Sequence, residues 1–346
     1  MTTSHPHLSH QTSAAKVSFS PSTDAAARYS DMMARYAEPV VMAGFADDDV
    51  TEIYVNPQDG TIRFDTRSRG KVDTGELLDP ARIEMFLNAV AMYTKTTLGA
   101  DHPSLQAELP FGIFRGSRLQ GFVPPLTQGP TFTIRKPPTT VYTLDHYVQR
   151  GTLEAGHRAV LRDAIDMHRN ILVIGATASG KTTFGNALLR EVTERFPTER
   201  IVILEDTIEL QCAAPDHVAL RTTPDHSLAQ LVKMTLRTSP DRIVVGEVRD
   251  EAALDLLDAW ATGHPGGIAT LHASSPEGAL LRLDRLAQRA NVPSQIALIA
   301  EAIHVIVAMA GGMDGKRVSH IVRVTGLDRR GQFVLERCSE TLPDSA

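Results

Sequence analysis

Cysteine is almost missing: Cys212 and Cys338 are the only two in 346 residues. They lie far apart and outside any CxxC pair. This excludes a disulfide framework and a thiolate zinc site, and it fits a reducing compartment. Long apolar runs are missing too. The longest, Ala302 to Ala310, is interrupted by His304 and falls far short of the roughly 20 residues a membrane span requires. The first twenty residues lack the apolar core, about 7–15 residues long, of a signal peptide. The expectation is a cytoplasmic protein whose contact with a membrane, if any, is peripheral. An excess of positive charge is also absent. The formal net charge of -6 argues against a nucleic-acid surface, although a local basic patch is compatible with it. No internal repeat is found.

What is present is an ordinary globular composition, 42% hydrophobic and 22% charged, in a chain long enough for about two domains. Residues 1–23 are rich in Ser, Thr, His and Pro, and a disordered tail is expected there. His5, His7 and His10 read as part of that polar tail rather than as metal ligands. Residues 24–134 are expected to form a small α+β domain. Ala25 to Val41 has helical spacing, Val50 to Val55 and Ile62 to Phe64 read as a hairpin, and Pro80 to Thr97 reads as a helix capped by Asp79. Leu105 to Leu109, Gly112 to Phe122 and Thr131 to Ile134 follow as short strands. Residues 135–143, with Pro137-Pro138, read as a stiff linker. Residues 144–346 form the second domain. Helix Leu153 to His168 opens it, and the apolar strands Ile171–Ile174, Ile201–Leu204, Arg242–Val245 and Ile268–Leu271 recur between helices. That alternation means a parallel sheet covered on both faces.

The chain is organised around Ile171-Leu-Val-Ile-Gly-Ala-Thr-Ala-Ser-Gly-Lys-Thr-Thr183. An apolar strand runs into Gly175, four residues, Gly180, Lys181 and Thr182, and a helix follows. This is the G-x-x-x-x-G-K-[ST] phosphate loop in its proper context. The glycines allow a tight turn that aims successive N–H groups at phosphate oxygens, beside the positive end of a helix. Thr177, Ser179 and Thr183 belong to the same cradle. Lys181 reaches the outer phosphates, and the Thr182 hydroxyl is placed to ligate Mg²⁺. The chain therefore binds a nucleoside triphosphate.

In open α/β sheets the ligand lies beyond the carboxyl ends of the strands. Here each strand ends in a polar group: the phosphate loop, then Glu205-Asp206 with Glu209 beyond, then Gly246-Glu247-Val248-Arg249, then His272. Glu247 is the candidate for the carboxylate that orients the attacking water; the alternative is a surface ion pair with Arg249. Gly246 leaves the backbone room to approach the nucleotide. Glu205 and Asp206 are candidates for holding Mg²⁺ through water, or form a helix-capping cluster. His272 is a sensor of the γ-phosphate or a structural histidine. Arg282, Arg285 and Arg289 form a basic helix face, either solvated or reaching a neighbouring subunit's nucleotide.

Four segments together resemble a known family: Gly175–Thr183, Ile203–Glu209, Leu236–Arg249 and Thr262–His272. They are similar to the Walker A, Asp, Walker B and His boxes of the secretion traffic ATPases. Thr207 stands where many relatives have proline. In the first domain, Val50-Thr-Glu-Ile-Tyr-Val-Asn-Pro57 and Thr133-Ile-Arg-Lys-Pro137 resemble the conjugal-transfer, TrbB-like branch of type IV secretion. The CxxC pairs of type II secretion members and the AIRNLIRE signature of retraction motors are not found. The resemblance implies a RecA-like ATPase domain preceded by the smaller α+β domain, and a homohexameric ring using ATP and Mg²⁺. It also implies peripheral docking on inner-membrane components of a secretion or conjugation apparatus. Arg135 matches the family's interdomain arginine that contacts the nucleotide, with Arg115 and Arg118 as companions. The Walker B aspartate is replaced by Gly246, so Glu247 must act with the Asp box. The rivals are a retraction or type II secretion motor and, from another class, a P-loop nucleic-acid motor.

Overall fold

The computed structural model describes residues 23–138, 140–223, 225–311 and 315–338. The tail expected over residues 1–23 lies outside these but for Thr23, which opens the first helix. The chain divides into two compact units between Pro137 and Pro138.

The first unit opens with α1 (Thr23–Tyr36) and α2 (Glu38–Ala46). A single helix was expected there. Pro39 breaks it, because a proline disfavours helical backbone at the residue before it. Glu38, the residue before it, departs from helical backbone with φ of 62°. Then come β1 (Val50–Val55), β2 (Thr61–Thr66), β3 (Gly70–Leu77), α3 (Pro80–Thr94), β4 (Ser104–Glu108), β5 (Arg118–Phe122) and β6 (Thr131–Arg135). The six strands form one sheet in the order β3-β2-β1-β6-β5-β4, antiparallel throughout. The Asp79 carboxylate caps α3 by accepting from the Ala81 amide. The helix stops at Thr94 because Lys95 turns left-handed, three residues before the expected end. Helices and sheet share one core around Phe45, Ile53, Phe86, Phe114 and Phe132. Gly44 lets α2 approach the sheet: a methyl there would sit 2.8 Å from the Phe64 ring.

The second unit begins with α4 (Leu144–Gln149) and α5 (Ala155–Asp166). It continues through β7 (Ile171–Gly175), α6 (Lys181–Arg195), β8 (Ile201–Glu205), β9 (His217–Arg221), α7 (Leu228–Thr235) and β10 (Arg242–Val245). After these come α8 (Ala252–Ala261), β11 (Ile268–Leu271), α9 (Pro276–Ala287), α10 (Ile296–Ala302), β12 (Val305–Ala310), β13 (Arg317–Leu327) and β14 (Phe333–Arg337). The sheet order is β14-β13-β12-β7-β11-β10-β8-β9. The strands from β12 to β9 are parallel, and β13 and β14 add an antiparallel edge. Alternate residues of β7 feed opposite cores, Leu172 and Ile174 on one face and Ile171 and Val173 on the other. A strand buried on both faces cannot alternate apolar with polar, hence its uninterrupted run. The longest apolar run of the sequence is the end of α10 followed by β12, a strand lying beside β7.

Candidate functional site

The parallel strands β7, β8, β10 and β11 end on one edge of the second unit, and their trailing loops carry the expected boxes. The phosphate loop joins β7 to α6. Gly175 and Gly180 have φ of 156° and 92°, and a methyl on Gly175 would meet the Ser179 hydroxyl at 2.5 Å and the Met309 carbonyl at 2.7 Å. Ser179 is buried, and among the described residues its hydroxyl has no hydrogen-bond partner. Lys181 opens α6, with Thr182 and Thr183 in the first turn. The Lys181 ammonium donates to the carbonyls of Gly175 at 3.1 Å and Ala176 at 2.9 Å. It lies 3.1 Å from Nδ1 of His272. Burial lowers the Lys181 pKa, against the pull of Glu247 and Glu209.

An ammonium only donates, so His272 Nδ1 is the acceptor and its proton sits on Nε2. That nitrogen faces Glu247 Oε1 at 3.1 Å. The other Glu247 oxygen accepts from Arg249 at 2.7 Å. Arg249 reaches on to Asp206 at 3.4 Å, and Asp206 accepts from the Thr222 hydroxyl at 3.1 Å. Three of the boxes and the phosphate-loop lysine thus form one continuous polar chain. Burial works to raise the Glu247 carboxyl, but the Arg249 hydrogen bond and charge, with His272 and Lys181, outweigh it and hold the group below its ordinary range. Glu247 thus pairs with Arg249, as the alternative reading expected, and also faces the histidine. Thr222 carried no motif and was missed. Its place beside Asp206 follows from β9 pairing with β8, a contact between distant segments.

Glu205 is buried, and its Oε1 accepts from the backbone N–H groups of Glu209 at 3.0 Å and Leu210 at 2.9 Å. The loop after β8 is therefore folded around this carboxylate. Asn186 of α6 holds the same loop from the other side, through Glu209 O and Gln211 N. The space Glu205 occupies exists because residue 246 is glycine: a methyl on Gly246 would lie 2.9 Å from Glu205 Cγ. The sequence reading gave Gly246 a role toward nucleotide; the structure shows it making room for the neighbouring strand's glutamate.

The three candidate arginines of the first unit lie at one end of its sheet. Antiparallel register sets Arg118 of β5 opposite Arg135 of β6, and Arg135 opposite Glu52 of β1. Arg135 ends β6 and pairs with Glu52 at 3.1 Å. Arg115, left-handed at φ 57°, pairs with Asp48 at 2.6 Å. Lys136 is buried, donating to the carbonyls of Gly44 and Asp47. Burial and the nearby Arg115 push its pKa down to about 8. Arg135 and Lys136, at the start of the expected linker, are thus fastened to the first unit. Of the three arginines expected on one helix face, Arg289 lies in the 3-10 turn Gln288–Ala290 that follows α9; it donates to the Arg249 carbonyl at 3.3 Å, tying that turn to the loop of Glu247.

Oxygen donors at the strand ends suit a hard cation such as Mg²⁺. Thr182 and Asp206 fit that role. Glu205 fits it less directly, since one of its oxygens holds backbone. Among the described residues no cluster of three or more His, Cys, Asp or Glu side chains could hold a metal by itself.

A twisted parallel sheet with a phosphate loop at its carboxyl edge defines a P-loop nucleoside triphosphatase. The profile of the type II/IV secretion system protein family matches residues 114–310. The chain is 42% identical over 278 residues to a probable conjugal transfer protein TrbB of Sinorhizobium fredii, covering 80% of this chain and 84% of the relative. It is 39% identical to the conjugal transfer protein TrbB of Rhizobium radiobacter, covering 86% and 91%. With protein VirB11 of Agrobacterium fabrum the identity is 30%, over 69% and 79%. Among solved structures, the ATPase DotB of Legionella pneumophila superposes with a TM-score of 0.55 at 20% identity, covering 86% of this chain and 79% of that one. The pilus retraction motor PilT with bound ADP gives 0.55 at 18%, covering 86% and 80%; both show the shared fold. The chain belongs to the type II/IV secretion system protein family and is an ATPase of the conjugal-transfer and type IV secretion kind. No helix among the described residues is long and apolar enough to cross a membrane.

Proposed function

We propose that this ATPase energises a conjugal-transfer or type IV secretion apparatus as a homohexameric ring, docked from the cytoplasm on inner-membrane components. The observation carrying the reading is the polar chain from Lys181 through His272, Glu247 and Arg249 to Asp206. Phosphoryl transfer requires positioning and charge stabilisation rather than covalent chemistry, and this chain supplies both. Gly175, Thr177, Ser179, Gly180 and Thr183 line the phosphate cradle. Lys181 exchanges two backbone carbonyls for phosphate oxygens. That exchange frees His272 Nδ1 and couples phosphate binding to the Glu247 carboxylate, which orients the water. Arg249 keeps Glu247 ionised and aimed. Glu205 shapes the loop that presents Asp206. Thr182 and Asp206, with Glu205 behind them, would hold Mg²⁺, which would supply charge neutralisation at the phosphates. Arg135, with Arg115 and Arg118, is assigned to nucleotide binding on the family resemblance of Thr133–Pro137.

The test is steady-state ATP turnover of wild type and Glu247→Gln, with sizing in the presence and absence of ATP. Wild-type turnover, ring assembly and a variant that binds ATP but turns over at least about 100-fold more slowly are expected. Equal turnover in the variant would overturn the assignment of Glu247. Turnover driven by DNA, falling steeply with salt, would replace this reading with a nucleic-acid motor.

A further inference from the structure

The boxes account for four strand ends, but a fifth strand reaches the phosphate loop. β12 runs parallel to β7 in register, with Met309 opposite Gly175, the first glycine of the loop. The contact is close on both sides. Besides the Met309 carbonyl against Gly175, a methyl on Gly311 would lie 3.3 Å from the Ser179 Cα. Beyond Gly311 the chain returns in β13, and Lys316 stands immediately before that strand. A methyl on Gly180 would lie 3.2 Å from Lys316 Cδ and 3.6 Å from its Cβ. The stem of an exposed lysine therefore covers Gly180, the residue that caps α6 and precedes Lys181. Its ammonium is two bonds beyond the Cδ that touches the loop.

We propose that Lys316 is a second phosphate-contacting lysine of the nucleotide site, supplied by the strand pair β12–β13 and directed at the outer phosphates of a nucleoside triphosphate. The inference rests on the phosphate-loop reading. The triphosphate is the most highly charged ligand the loop takes, and the loop's own lysine and helix N-terminus offset only part of that charge. A flexible lysine is suited to such a place because its point charge follows phosphates through a cycle without fixed fork geometry. Lys181 is buried and committed to the loop; Lys316 is exposed, so it adds charge without a desolvation cost. Position also decides which phosphates it meets, since Gly180 adjoins the lysine that reaches the outer ones.

The experiment is calorimetric titration of ATP and ADP with Mg²⁺ into full-length wild type, Lys316→Ala, Lys316→Arg and Lys181→Ala, with turnover measured on the same samples. Lys316→Ala is expected to weaken ATP binding about 5- to 10-fold and ADP binding less. It should raise KM for ATP while leaving kcat within about 2-fold. Lys316→Arg restores most of the affinity, because the charge is what matters. Thermal stability of each variant in the absence of nucleotide is measured alongside, so that an effect on folding is separated from one on binding. If Lys181→Ala loses ATP binding while Lys316→Ala keeps wild-type affinity, Lys316 has no such role and the phosphate-loop reading stands. If Lys316→Arg is as weak as Lys316→Ala, the effect is packing and the proposal fails. If Lys181→Ala binds ATP normally, the phosphate-loop reading falls and takes Lys316 with it.

Discussion

Replacing Gly246 with alanine adds one methyl group at a point where backbone conformation is no obstacle, so any effect comes from space. The new carbon would lie 2.9 Å from Glu205 Cγ, 3.1 Å from its Oε1 and 3.4 Å from its Cδ. Such contacts force the glutamate aside. Oε1 then leaves the N–H groups of Glu209 and Leu210, which it holds at 3.0 and 2.9 Å. Each hydrogen bond to a charged acceptor is worth about 1.5–3 kcal/mol. With partial relaxation, the expected loss is about 3 kcal/mol for the pair. For a unit the size of the second, that lowers the thermal midpoint by about 6–12 °C. The assay is thermal and urea unfolding of wild type, Gly246→Ala, Glu205→Ala and the double variant. Glu205→Ala alone should be destabilising, since the same N–H groups lose their acceptor. In its background the added methyl meets no carboxylate, and Gly246→Ala should cost under about 1 kcal/mol. Additive losses in the double variant would refute the idea that Gly246 exists to seat Glu205.

Three further outcomes are expected. His304 has its pKa lowered from 6.5 to about 4, by burial first and then by Arg169. Its Nδ1 accepts from the Asn170 amide at 3.1 Å, an arrangement a proton there would break. The unfolded chain then binds the proton more tightly than the folded one, so stability is complete above about pH 6.5 and falls as pH drops toward 4; equilibrium unfolding across that window should show a shallower slope in His304→Asn. Arg242 is buried beneath the sheet, paired with Glu199 at 2.5 Å and bonded to the carbonyls of Gly266 and Ile165. Arg242→Ala leaves Glu199 with His168 as its remaining partner and removes a buried cation's hydrogen bonds, and should cost about 3 kcal/mol in denaturant unfolding; a loss under about 1 kcal/mol would show the pair to be dispensable. In the first unit, a methyl on Gly121 would meet Leu87 Cδ2 at 2.5 Å, so Gly121→Ala should cost about 1–3 kcal/mol by overpacking, read by differential scanning calorimetry.

The phosphate loop was legible in the sequence because its chemistry is local. A strand, two glycines at fixed spacing, a lysine and a helix are adjacent in the chain, and φ of 92° at Gly180 is what a glycine there permits. The parallel strands were legible for a related reason: burial on both faces demands unbroken apolar runs, as in Ile171–Ile174. The hairpin of β1 and β2 declared itself by alternation and its turn. Pro39, by contrast, was overlooked as a helix break. β3, β9 and β14 also went unread, since edge strands exposed on one side carry weak periodicity.

Sequence alone therefore determined the class of chemistry, the candidate carboxylates and histidine at the strand ends, and the alternation that makes a parallel sheet. These are properties of residues near one another in the chain. Tertiary structure decided which atoms meet. That Glu205 fills the space left by Gly246, that Asn170 joins the starts of β7, β11 and β12 through Gly267, Ala302 and His304, and that Lys316 lies over Gly180 depend on strand order and register. Those are set by packing between segments distant in sequence, where a residue's own type says little about its neighbour.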